Sequence, residues 1–310
     1  MPANVETMFY VREVPWYGLG TRIEKAPTSN EALKLAGLDW DVNQQEIYTE
    51  DSILIPGFRA NIRASDNKVL GVVTDRYRIV QNQEAFAFTD ALLGEGVTYE
   101  TAGSLQQGRR VWLLARLPQT YKIIGNDITP YMVFSNTHDG SGAIKVAMTP
   151  VRVVCQNTLN LALLDAKRIW STIHTGDMQT KLQEAKKTLL LSEFYMDKLV
   201  IGTEVLNSKS LSDKRAMEFI EELLPIPENA GAAQVRNIDL LRSDLKQRYF
   251  EAPDLGDIPK TAYRMINAVS DFATHTEPLR RSGSYKENLF AKTMDGNPLI
   301  DKAYDTLLRL

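Results

Sequence analysis

The chain has 310 residues, 44% of them hydrophobic, and a formal net charge of −3; this fits one large or two ordinary globular domains and excludes a disordered chain. A single cysteine, Cys155, excludes an intramolecular disulfide and a thiolate-built zinc or iron–sulfur centre. No apolar run approaches the roughly 20 residues that span a bilayer, and MPANVETMFYVREV lacks the charged-then-apolar pattern of a leader, so a cytoplasmic location is expected.

Residues 1–27 read as irregular, with a compact turn at Pro15-Trp16-Tyr17-Gly18-Leu19-Gly20. A helix follows: Thr28 and Glu31 have capping-box spacing, and Gly37 can end the helix in the left-handed conformation. WDVNQQEIYT, from Trp40, reads as a strand. ILIPGFRANIR and KVLGVVT, joined by Ser65-Asp66-Asn67, read as a hairpin. Asp75 to Val80 extends or kinks its second strand. Asn82 is the expected N-cap of the helix NQEAFAFTDALL, which Gly94 closes.

Four further strand-like segments follow: VTYETAGSL, RRVWLLARLP, DITPYMVFSNTHDG and SGAIKVAMTPVRVV, with tight turns at Gln107-Gly108 and Asp139-Gly140. A helix opens near Asn157. The block from about 40 to 170 is expected to be one mainly antiparallel sheet with helices packed on one face. Beyond it, periodicity predicts a long helix over 177–206 and further helices near 212–223, 234–250, 260–275 and 298–309. The fold class is α+β, divided as a turn, helix and strand over 1–52, a sheet–helix core over 53–170, and a helical region over 171–310.

No catalytic or metal-binding motif is recognisable. Gly18-Leu19-Gly20 lacks the third glycine of a dinucleotide loop, since position 23 is Ile. His138, His174 and His275 lie far apart with no His or Cys at i+3 or i+4. Cys155 with His174 could make a thiol–imidazole pair, and a small core residue is the competing reading of Cys155. Asp66, Asp75, Glu100, Asp127 and Asp139 sit mostly at turns, and Asp139 beside His138 reads as a solvated turn pair. No cofactor and no metal is expected, and a binding role is favoured over an enzymatic one.

Charge is unevenly placed. Residues 1–52 carry 4 basic and 9 acidic residues, 53–170 carry 13 and 9, and 171–310 carry 19 and 21. Only the central block is positive. Its cations Arg59, Arg63, Lys68, Arg76, Arg78, Arg109, Arg110, Arg116, Lys145, Arg152, Lys167 and Arg168, with Tyr77 among them, fall on strands or strand ends. Arginines that follow phosphates and rings that stack on bases are what single-stranded nucleic acid requires. Arginines that solubilise a half-exposed sheet are the alternative. The basic loop from Arg280 to Lys286 reads as a solvated connection.

PWYGLG, GLDWDV, TDRYRIVQNQEAF and TPVRVVCQNTLNLAL followed by IHTG resemble a family of unknown function encoded by phages, prophages and plasmids. The chain departs from that family in Tyr17, where histidine is frequent, and in Ile173, where arginine is frequent. The order of strands and helices is similar to that of phage single-strand annealing proteins. That resemblance implies a homo-oligomer, ring or filament, which binds single-stranded DNA in recombination or replication. Two other classes stay open: an anti-defence or regulatory protein that binds a host protein or nucleotide signal, and a metal-dependent nuclease.

Overall fold

The computed structural model describes residues 5–11, 20–94, 98–117, 120–124, 126–128, 130–149, 169–190, 192–276 and 297–310. They form an α+β protein that divides into two compact units. The first takes in the described parts of 1–120, 129–149 and 167–193, and the second those of 121–128, 150–166 and 194–310.

The first unit is built on a seven-stranded sheet. Its strands are β1 (Val5–Val11), β2 (Thr21–Ile23), β6 (Thr98–Leu105), β7 (Arg110–Arg116), β10 (Tyr131–Thr137), β11 (Ile144–Thr149) and β12 (Ile169–Thr172). Their order is β12-β11-β10-β7-β6-β1-β2, antiparallel throughout except for the β1–β2 pair. A separate three-stranded antiparallel sheet runs β3 (Val42–Tyr48), β4 (Leu54–Arg63), β5 (Lys68–Thr74).

Two sequence expectations are corrected here. The stretch before residue 27 is not wholly irregular, because β1 lies between β6 and β2 in the large sheet. Val5, Met8, Phe9, Tyr10 and Val11 are all buried, so this strand shows no alternation for periodicity to detect. The block from 40 to 170 also holds strands of three sheets rather than one: the seven-stranded sheet, β3-β4-β5, and a two-stranded hairpin over 121–128.

Helices α1 (Ser29–Leu35), α2 (Asn82–Leu93) and α3 (Met178–Leu190) share one apolar core with the sheet residues Phe9, Val11, Leu113, Met132, Phe134, Val146 and Trp170. The start of α1 is set by the expected capping box, in which Glu31 accepts from the Thr28 N–H at 3.0 Å. Gly37 takes φ +65° just beyond the helix, as its position suggested. The α2 cap is one residue earlier than expected. Gln81 is the N-cap, and Glu84 accepts from its N–H at 2.7 Å. The Gln81 amide also gives and takes a 2.9 Å hydrogen bond with the Val42 backbone. That frees Asn82 to point inward.

The second unit contains the hairpin β8 (Tyr121–Ile123) and β9 (Asn126–Ile128) and the helices from Phe194 onward. These are α4 (Ser192–Ser208, entering the unit at Phe194), α5 (Asp213–Leu223), α6 (Ala232–Glu251), α7 (Ala262–His275) and α8 (Pro298–Arg309). Its core includes Tyr195, Leu199, Phe219, Leu245, Tyr249, Ile266, Val269, Ile300 and Leu307. Buried Arg264 donates to the carbonyls of Tyr249, at the end of α6, and of Ile258, in the loop beyond it, both at 2.8 Å. No helix among the described residues is long and apolar enough to cross a membrane.

Candidate functional site

Along β10 the core face carries Met132, Phe134 and then, in the same phase, Asn136, followed two residues later by His138. Apolar residues would continue a simple core, and polar ones here require partners. They find them on segment 75–81. Asn136 donates to the Val80 carbonyl at 2.9 Å, and the Tyr77 hydroxyl donates to the Thr137 carbonyl. The His138 ring meets Asn82 at 3.0 Å, and Trp40 sits edge-on to it at 5.4 Å. His174 stacks on Tyr77 with ring centroids 4.4 Å apart, and the Arg78 N–H donates to the His174 carbonyl at 2.7 Å. From the small sheet, Asn61 donates to the His138 carbonyl at 2.6 Å. Gly71 approaches Asp139 so closely that a Cβ would lie 2.5 Å from its Cα.

Segments far apart in sequence thus meet at one place: GLDWDV, TDRYRIVQNQ, THDG and IHTG. His138 and Asn136 are 0% exposed, and His174 is 3% exposed. Burial pulls the His138 imidazole down to about 3, with help from the nearby His174, and pulls His174 down to about 4. Both are therefore neutral near pH 7. Burial likewise raises the Tyr77 phenol.

The hydrogen bonds assign each tautomer. Asn82 uses its amide N–H groups on the carbonyls of Leu38 and Trp40, so its oxygen faces His138. His138 must then donate from Nε2, which leaves Nδ1 as a lone pair. The Arg78 carbonyl accepts from His174 Nδ1, which leaves Nε2 as a lone pair. Those two nitrogens, with Oδ1 of Asn61 and Oδ1 of Asn136, have no hydrogen-bond partner among the described residues. Among the described residues, no three His, Cys, Asp or Glu side chains come together as metal ligands do.

The basic set disperses. Arg63 is buried, donates to Glu6 and Asp66 at 2.7–3.1 Å, and lies over the Trp40 ring at 5.4 Å. Hydrogen bonding to Arg63 holds the Asp66 carboxyl down at about 2. Arg59 pairs with Glu46 across β3 and β4 at 2.9 Å. Lys68 is half-exposed opposite Arg63. Arg110 opens β7 beside Gly142, Arg116 is exposed at the end of β7, and Lys145 is half-exposed on β11. Tyr77 is inside, under His174, so its ring is not presented to solvent. Arg152, Lys167 and Arg168, with Cys155 and the helix expected near Asn157, lie outside the described residues, as does the loop from Arg280 to Lys286.

Arg76, Arg78 and Arg109 are brought together in a different sense. All three are exposed, and none has an ion-pair partner among the described residues. Arg76 and Arg78 flank Tyr77. Arg109 is joined to the same cluster because its carbonyl accepts from the His138 N–H at 2.7 Å. Sequence reasoning found these arginines but missed the histidine–asparagine cluster that anchors them. The available sign was Asn136 falling in phase with Met132 and Phe134.

No curated protein and no solved structure matches the chain. A family model described as a domain of unknown function, DUF932, matches residues 69–293. That span includes Tyr77, Asn82, Asn136, His138 and His174, whereas Trp40 and Asn61 precede it. With well over half of its length matched, the chain belongs to the DUF932 family.

Proposed function

We propose that this protein binds single-stranded DNA and that Arg76, Arg78 and Arg109 make its main phosphate contacts. The observation that carries this reading is that three exposed arginines, without carboxylate partners among the described residues, belong to one buried cluster: the backbones of Arg78 and Arg109 bond to it, and Arg76 adjoins its Tyr77. Cations anchored in this way meet a polyanion without first giving up an ion pair, and little main-chain order is lost on binding. Arg59 and Arg63, already paired with carboxylates, contribute less. The resemblance to phage annealing proteins adds the finer part: binding repeated along a strand by a homo-oligomer, in recombination or replication. The reading needs no cofactor.

Fluorescence anisotropy with a labelled oligonucleotide tests it. Three phosphate contacts give a slope of log affinity against log salt of about −2, so affinity falls about 20-fold between 50 and 200 mM salt. Absence of binding at 50 mM salt, or binding indifferent to salt, would refute it.

A second reading rests on a separate observation. Phe58, Val69 and Val72 stand 45–57% exposed on the small sheet, and the register puts Phe58, Ala60 and Ile62 of β4 beside Thr74, Val72 and Val69 of β5. An apolar sheet face open to solvent suits a protein partner, as a regulatory or anti-defence protein would need. Absence of any affinity for the oligonucleotide at 50 mM salt would favour that reading.

A further inference from the structure

The buried cluster has a chemical bias that DNA binding does not use. Its four unpartnered atoms are Oδ1 of Asn61, Oδ1 of Asn136, Nδ1 of His138 and Nε2 of His174. All four are lone-pair acceptors: amide oxygens carry no hydrogen, and the N–H of each imidazole is engaged on its other nitrogen. Asn61 donates to His138, Asn136 to Val80, His138 to Asn82 and His174 to Arg78. A buried acceptor without a donor destabilises a fold. Four in one cluster favour whatever brings positive charge or donors to it and disfavour an anion. The second donor sphere is also specific. An imidazole whose N–H is held by a carbonyl or amide oxygen, with the other nitrogen left bare, is the arrangement that orients histidine toward a metal. Near-complete burial of His138 and His174 closes the cluster to anything much larger than an ion.

We propose that His138 Nδ1 and His174 Nε2 bind one divalent transition cation of the cobalt, nickel or zinc type, with amide oxygens of Asn61 and Asn136 completing the donor set. Two imidazoles suit those metals better than magnesium or calcium, which prefer all-oxygen shells. Asp139 lies within electrostatic reach of His174 and offsets part of the added charge. The ion would tie segment 75–81, which carries Arg78, and the turn at 173–175 to the end of β10, where His138 bonds to the Arg109 carbonyl. This inference does not depend on the nucleic-acid reading.

The test is titration of the EDTA-stripped full chain with Co2+ at pH 7.5, followed by visible absorption and calorimetry. The expected result is a single saturable equivalent with nitrogen-ligand d–d bands, displaced by Zn2+. His138→Gln and His174→Gln should each abolish it, whereas His275→Gln and Cys155→Ser should leave it intact. Because either cluster variant could fail to fold, imidazole NMR of the wild-type chain with Zn2+ gives a second reading: two of its three histidines should shift together at one equivalent. No saturable binding, or binding lost in His275→Gln or Cys155→Ser and kept in the cluster variants, overturns the proposal and assigns the four acceptors to bound water.

Discussion

The imidazole of His138 and the amide of Asn82 share a 3.0 Å hydrogen bond in the interior, and that bond fixes both groups. The Asn82 amide is oriented by the carbonyls of Leu38 and Trp40, so its oxygen can only accept, and His138 can only donate from Nε2. One asparagine thereby links the end of α1, the start of α2 and the end of β10. Asn82→Ala removes the partner of three groups at once. It should destabilise the first unit by about 3 kcal/mol, within the range for leaving buried donors and acceptors unmatched. Urea denaturation followed by tryptophan fluorescence measures this, and a change below about 1 kcal/mol would show that the cluster reorganises around the loss.

Acid should destabilise the metal-free protein. The folded-state values of about 3 for His138 and about 4 for His174 lie below the ordinary value of 6.5. The unfolded chain therefore takes up protons that the folded chain refuses. Stability from these groups is complete above about pH 6.5 and is lost as the pH falls from there toward 4 for His174 and toward 3 for His138. At pH 5 each histidine should cost about 2 kcal/mol relative to pH 7. Melting curves in EDTA at pH 7, 6 and 5 measure the slope, and His174→Gln should flatten it.

Arg63 is expected to act on stability and not on DNA. Its guanidinium holds Glu6 of β1 and Asp66 of the β4–β5 turn. Arg63→Ala leaves the partly buried Glu6 uncompensated and should cost about 3–5 kcal/mol in chemical denaturation. Under conditions where the variant is folded, its affinity for an oligonucleotide should match that of the native chain.

Gly71 sets how closely the small sheet approaches the site. A Cβ there would lie 2.5 Å from Asp139 Cα and 2.8 Å from the Asp139 carbonyl oxygen. Gly71→Ala forces backbone to move and should cost about 2 kcal/mol. Gly57→Ala is the informative comparison: it meets nothing within 4 Å but sits at φ +78°, so its cost, about 1 kcal/mol, is conformational alone.

Much of the local structure was legible in the sequence because it is local. The Thr28–Glu31 cap, the left-handed Gly37, the β4–β5 hairpin, and helices α2 and α5 to α8 are each set by residues within a few positions of one another. β1 was not legible, since burial on both faces erased its alternation. Nor was the division into separate sheets, which depends on strand order. The site was half legible. Arg76, Arg78 and Arg109 were visible as cations at strand ends, but Arg63 was indistinguishable from them until Glu6, 57 residues earlier, closed on it. His138 and His174 looked like isolated histidines because only the fold brings them together.

The most direct measurement is the affinity of Arg76→Glu/Arg78→Glu/Arg109→Glu for a labelled single-stranded oligonucleotide across 50–200 mM salt, beside an Arg59→Glu control and with folding verified by circular dichroism. Loss of binding by more than about 10-fold at 50 mM in the triple variant, with the control near the native value, is the expected result. A triple variant that binds with native affinity and native salt slope would contradict the assignment of these arginines to DNA.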